Sequence, residues 1–144
     1  MERTKANFPE ITRDILKILQ INIGYKCNQA CSHCHVDASP SRTEMMSNDI
    51  IKLIPKVIKA NDIKLLDITG GAPEIHPKFK QLVREVRSLN VEVMDRCNLT
   101  ILTEPGFENL AGFLASNKVQ ITASLPCYLE ENVDKQRGKG VFEK

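Results

Sequence analysis

An open, parallel α/β sheet of about four strands with crossover helices is the fold this sequence predicts. Three observations predict it. Short apolar runs of strand length alternate with amphipathic stretches of helix length. The runs are separated by turn residues, Gly, Pro and Asn, at the places where a chain must reverse. The stretch between successive strands is long enough for a helix, as right-handed parallel crossovers require. With 144 residues the chain makes one domain and cannot close an eight-stranded barrel, which takes about 250.

Taken in order, KILQINI (17–23) is the first strand, a short apolar run. A cysteine-rich segment and the polar stretch DASPSRTEMMSND follow as a long loop. Ser47 is a good N-cap for a first helix whose apolar positions are Ile50, Ile51, Ile54, Val57 and Ile58. Pro55 should kink or break it, and Met45 and Met46 are expected to pack with it. KLLDIT (64–69) is the second strand and closes on GGAPEIHP, a turn by composition. Pro77 opens a second helix with Phe79, Leu82, Val83, Val86 and Leu89 on one face, and Asn90 stops it. VEVMD (91–95) is the third strand, and Pro105 starts a third helix with Phe107, Leu110, Ala111 and Leu114 on one side. Asn117 ends that helix, VQITASL (119–125) is the fourth strand, and a charged tail with at most a short helix completes the chain.

Composition removes several functions. Apolar residues make up 42% of the chain and charged residues 26%, proportions that allow a real core. A net charge of +2 is too small to argue for nucleic acid or an anionic membrane. With no Trp, two Tyr and five Phe, a base-stacking surface is not expected either. The N-terminal stretch MERTKANFPEITRD has no apolar core of a signal peptide, and no run reaches the roughly 18 apolar residues of a membrane span. The expected address is the cytoplasm. There, five cysteines read as metal ligands or reactive thiols rather than a disulfide frame. Asn98-Leu99-Thr100 matches a glycosylation acceptor by chance.

Three of those cysteines fall within eight positions: Cys27, Cys31 and Cys34, spaced C-x3-C-x2-C in GYKCNQACSHCH. On a loop after the first strand they sit where parallel α/β proteins place ligands. Two metals suit them. A zinc ion needs a fourth protein ligand, drawn from His35, Cys97 or Cys127, although His35 directly follows Cys34 and neighbours rarely share one tetrahedral ion. A [4Fe–4S] cube takes cysteine thiolates at its corners, and with three supplied one iron stays open to a small molecule.

The C-x3-C-x2-C loop resembles the signature of the radical S-adenosylmethionine (radical SAM) enzymes. TGGAPE (69–74), ending the second strand, is similar to the glycine turn by which that family contacts the methionine amino group. Ala72 and Pro73 here stand between Gly70-Gly71 and Glu74, a departure from the usual Gly-Gly-Glu. Over LQINIGYKCNQACSHCHVDASPSRTEMM, ITGGAPEIHP, DRCNLTILTEPG and ASLPCYLEENVDKQRGKGVFEK, the sequence resembles more narrowly the arsenosugar-biosynthesis radical SAM proteins.

The resemblance implies a partial (β/α) barrel, of which residues 1–144 are the N-terminal portion, truncated before the last strands and the family's C-terminal domain. It implies that Cys27, Cys31 and Cys34 hold a [4Fe–4S] cluster whose open iron binds S-adenosylmethionine (SAM), with Gly70 and Gly71 on the SAM. His33 occupies a slot where the family often has an aromatic near the adenine; from the residues alone, it and His35 read as local packing groups. Ser124 and Asn98 are polar residues expected near the same rim, as candidate hydrogen-bonding partners of SAM's carboxylate or ribose. The implied reaction is transfer of the adenosyl group to a trivalent methylated arsenical, a small-molecule substrate, with an electron donor such as a flavodoxin or ferredoxin. Cys97 and Cys127, just past the third and fourth strands, are expected on the same face as the cluster loop, where soft thiolates suit a thiophilic centre. The competing readings are a small zinc-binding module using the same cysteines and a truncated fragment without catalysis.

Overall fold

Side chains alternate between the two sides of the sheet, and the two faces are unlike. The third strand shows it most plainly: Val93, Asp95 and Cys97 are buried, and Glu92 and Arg96 are exposed. The computed structural model describes residues 9–124, 127 and 129–143. Strands β1 (Ile18–Asn22), β2 (Leu65–Thr69), β3 (Glu92–Cys97) and β4 (Gln120–Ala123) form one parallel sheet in the order β1-β2-β3-β4. Register is set by pairs such as Ile21↔Ile68, Ile68↔Asp95 and Asp95↔Ile121. Leu66, Ile68 and Val93 point to one side and are fully buried. Gln20, Asn22, Thr69, Arg96 and Thr122 point to the other and line a cavity.

The buried side is covered by helices. In α3 (Phe79–Ser88), Phe79, Leu82, Val83 and Val86 are all fully buried, as spacing of three and four residues demands. Each such side chain contributes about 1.5–3 kcal/mol by leaving water. Asn90 ends this segment in a left-handed conformation, φ 59°. Leu110 and Leu114 of α4 (Leu110–Ser116) extend the same core.

Boundaries differ from expectation where proline and glycine decide them. The first helix is two pieces, α1 (Asn48–Ile51) and α2 (Ile54–Ala60), with Pro55 in the first turn of the second. Ser47 does cap α1, its Oγ accepting from the Ile50 N–H at 3.4 Å. Ile51, Ile54 and Ile58 reach the core, whereas Ile50 and Val57 are exposed. Met45 and Met46 precede α1: Met45 bridges to Gly24, and Met46 packs on the core from the loop. Pro105 does not start a helix, because Gly106 follows with φ 90°; a 3-10 turn (Thr100–Thr103) comes first and α4 begins at Leu110. β3 runs two residues further than the apolar run suggests. β4 is shorter at both ends, and Leu125, the last residue of the expected strand, lies outside the described residues. The charged tail contains α5 (Glu130–Arg137). No helix among the described residues is long and apolar enough to cross a membrane.

Candidate functional site at the strand ends

The cysteine loop rises from β1 and is pinned at both limbs. Asn22 Oδ1 accepts the Gly24 N–H at 2.9 Å and turns the chain out of the strand. The limbs then pair through Tyr25 N–H to Glu44 O (2.9 Å), Cys27 N–H to Ser39 O (3.1 Å) and Ser39 N–H to Tyr25 O (3.2 Å). The sulfurs collect hydrogen-bond donors. Gln29 N–H points at Cys27 Sγ (3.4 Å), Ala38 N–H at Cys34 Sγ (3.3 Å), and Asn98 Nδ2 at Cys27 Sγ (3.6 Å). Cys27 is buried and Cys31 and Cys34 half-buried. Burial pushes the Cys27 thiol up; it also raises Cys31, against the pull of the Arg137 guanidinium.

Gly70 and Gly71 press against this loop backbone to backbone. Gly71 N–H donates to Gly24 O and Ala72 N–H to Lys26 O, both at 2.9 Å. A Cβ on Gly70 would stand 2.6 Å from Gly24 O, and one on Gly71 2.5 Å from Lys26 O. The glycines are therefore required by the cysteine loop itself, in addition to lining the cavity beside it.

The third side of the site is built by a strained turn. Thr100 N–H bonds back to Asn98 O at 2.8 Å, placing Leu99 at φ 62°, ψ −35°, an unusual conformation for a leucine. The turn holds Asn98 so that its amide reaches Cys27 and Asn28 Oδ1 (2.8 Å), while its Oδ1 accepts from Ile101 N–H at 3.1 Å. Arg137, the last residue of α5, closes the wall. It is only 8% exposed. It donates to Ser124 O (2.7 Å), Ser124 Oγ (2.9 Å) and Asn98 O (3.3 Å), and its buried Nε has no partner. The same helix end receives Ser32 N–H from the cysteine loop at Gln136 O, 2.9 Å.

These walls enclose a cavity of about 690 Å³. Cys27, Cys31, Cys34, Gly70, Gly71 and Ser124 all line it, as do His33, His35, Asn98 and Arg137. Its floor carries an ion pair, Arg96 to Asp67 at 2.8 Å, steadied by Gln20 Nε2 at 2.7 Å from the same carboxylate. Arg96 holds the Asp67 carboxyl below the usual range.

Two expected residues stand elsewhere. Cys97 does not share the cluster loop's face: side chains alternate along β3, Arg96 takes the cavity side, and Cys97 turns fully buried into the helix layer. Cys127 is half-buried and accepts from Asn132 Nδ2 at 3.5 Å; among the described residues it is not part of the cavity wall. Arg137 is the residue the sequence reading missed, hidden in a tail that looks like solvated charge. Its signal was Val133 four positions earlier, which marks a buried face of α5.

A parallel α/β sheet with a cysteine loop and a glycine turn facing one cavity at its strand ends defines a ligand-binding class of enzyme scaffold. The chain belongs to the radical SAM superfamily, which it matches over residues 21–144. Members of that family use a [4Fe–4S] cluster and SAM. Among curated relatives, a "Probable GTP 3',8-cyclase" of Saccharolobus islandicus (strain Y.N.15.51 / Yellowstone #2) is 28% identical over 131 residues, covering 90% of this chain and 41% of the cyclase. The "Antilisterial bacteriocin subtilosin biosynthesis protein AlbA" of Bacillus subtilis (strain 168) is 27% identical over 119 residues, covering 82% of this chain and 26% of AlbA. The chain thus spans less than half of these relatives. Streptococcus suis SuiB bound to S-adenosylmethionine shares the fold, with TM-score 0.64 and 18% identity over 87% of this chain and 27% of SuiB.

Proposed function

We propose that this chain holds a [4Fe–4S] cluster through Cys27, Cys31 and Cys34, binds SAM beside it, and serves adenosyl transfer to a trivalent methylated arsenical. The observation that carries the cofactor assignment is the donor set. Three loop thiols stand on the wall of one cavity, and two of them, Cys27 and Cys34, already receive N–H bonds of the kind that settle cluster sulfurs. A structural zinc site is closed on itself, whereas these thiols open onto about 690 Å³ of space. That volume suits a nucleoside-sized ligand.

When bound, the two groups supply one-electron cleavage of SAM to methionine and a 5′-deoxyadenosyl radical. The residues of the chain do the rest. Gly70 and Gly71 bring backbone to the methionine end. Arg137, buried and with an unpartnered Nε, offers its positive charge to the SAM carboxylate, with Ser124 and Asn98 alongside. His33 lies on the same wall and offers its ring to the adenine. Asn98 and the Gln29 and Ala38 amides orient the ligating sulfurs.

The arsenical reading rests on the resemblance of stretches such as ITGGAPEIHP and DRCNLTILTEPG to the arsenosugar-biosynthesis radical SAM proteins and on the soft thiol of Cys127, offered as a substrate ligand. An electron donor such as a flavodoxin or ferredoxin and a reducing, cytoplasmic setting complete the proposal. Anaerobic reconstitution with iron and sulfide, followed by incubation with SAM, a strong one-electron reductant and a dimethylarsinous substrate, tests it. The expected product joins arsenic to the 5′ carbon. Turnover of GTP or of a cysteine-bearing peptide in place of the arsenical would overturn the substrate assignment, and a bound zinc without iron would overturn the cofactor assignment.

A further inference from the structure

Behind the glycine turn, on the helix side of the sheet, three side chains meet that the cavity does not use. Glu74 stands in the 3-10 turn Pro73–Ile75, directly after Gly70 and Gly71, and Asp95 and Cys97 are alternate residues of β3. Each offers one ligand atom, and the three atoms lie within 4.8 Å of one another. All are buried: Glu74 is 5% exposed, Asp95 and Cys97 0%. None of the four carboxylate oxygens receives a hydrogen bond from a residue outside this cluster.

Two carboxylates this close and this dry cannot both stay charged without a cation. No ion pair among the described residues involves Glu74 or Asp95. Burial and the neighbouring Glu74 push Asp95 up to about 9, and burial raises Glu74 and Cys97 as well. One shared proton bridges the two carboxyls and the Cys97 thiol faces Glu74, so every side-chain donor would come from within the cluster itself. A divalent cation instead takes an atom from all three side chains and offsets two of the three negative charges they carry when ionised.

We propose that Glu74, Asp95 and Cys97 form a second, structural metal site for a zinc-class divalent cation. The donor set selects the ion. Two oxygens and one sulfur are too few and too soft for calcium or magnesium, and too hard for copper(I), but suit zinc. Cys97 also borders an apolar cavity of about 270 Å³, walled by Leu99, Leu102, Leu114, Val119 and Ile121. Bound by the three side chains, the metal ties the glycine turn to β3 on the side of the sheet opposite the loop thiols, bracing the turn against which the cysteine loop packs.

The full chain with Cys27, Cys31, Cys34 and Cys127 all replaced by alanine keeps Cys97 as its single thiol and is titrated with cobalt(II). One equivalent should bind with thiolate-to-cobalt charge-transfer absorption in the near ultraviolet, and zinc should bleach it. Adding Cys97→Ser should abolish that absorption, and Asp95→Asn should weaken binding by more than about tenfold. Absence of the absorption, or its survival with Cys97→Ser, overturns the proposal. A second measurement leaves the loop thiols in place. After anaerobic iron–sulfide reconstitution and dialysis against a mild chelator, the parent chain should keep one zinc beside its iron, and Cys97→Ser should keep the iron alone. Equal zinc in both, including none in either, means that the carboxyls merely share a proton.

Discussion

Replacing Gly71 with alanine probes how the cofactor loop is held. The new Cβ would stand 2.5 Å from the Lys26 carbonyl oxygen, 2.8 Å from its carbon and 3.0 Å from Ala38 Cβ. Ordinary contact begins near 3.4 Å, so the Lys26 peptide must retreat by close to 0.9 Å. That peptide accepts the Ala72 N–H at 2.9 Å, and Gly24 beside it accepts the Gly71 N–H. Overpacking of this kind costs about 1–3 kcal/mol, and a strained or broken hydrogen bond adds about 1 kcal/mol. A loss of about 2–4 kcal/mol lowers Tm by about 5–15 °C in a chain of this size. Cys27 follows Lys26, so iron content and SAM affinity should fall with stability. Calorimetry and equilibrium dialysis on the purified chain read both. Gly112→Ala is the control: it meets nothing within 4 Å and lies in α4, where alanine gains up to about 1 kcal/mol. A Gly71→Ala chain that melts within a degree of the parent and binds SAM equally would refute the reasoning.

Arg137→Leu should weaken SAM binding by about 10–100-fold, the worth of a charge-assisted hydrogen bond, while leaving iron content unchanged; isothermal titration with the reconstituted protein measures it. Asp67→Asn should cost about 1–2 kcal/mol at neutral pH, a modest figure because the partner Arg96 is half exposed and screened. Because Arg96 depresses the folded Asp67 carboxyl, its stabilisation is present above the ordinary value of 3.8 and lost as pH falls through the folded value. The difference in urea midpoint between variant and parent should therefore shrink in acid. Cys127→Ala should abolish turnover of a dimethylarsinous substrate and leave iron content and SAM cleavage intact; unchanged product formation would remove Cys127 from the chemistry.

Parallel order and helix faces were legible because burial follows period: LLDIT and the Phe79, Leu82, Val83, Val86 spacing leave little choice. The cysteine loop and glycine turn were legible as motifs, and the structure brings both to one cavity. Cys97 was misplaced because position at a strand end was read without the alternation that decides which face a side chain takes. Arg137 and the partners of Asn98 were illegible for another reason. Their contacts join residues 27, 98, 124 and 137, and only the folded chain brings such distant positions together. The Glu74–Asp95–Cys97 cluster likewise needs two strand-end segments in register.

The proposed function requires that Cys27, Cys31, Cys34 and the cavity beside them hold both cofactors in a productive arrangement. Reconstituted anaerobically and given a strong one-electron reductant, the chain should convert SAM to methionine and 5′-deoxyadenosine in equal amounts, as counted by mass spectrometry. The variant lacking Cys27, Cys31 and Cys34 should produce neither. A chain that takes up iron and sulfide and binds SAM, yet releases no 5′-deoxyadenosine, would contradict the account.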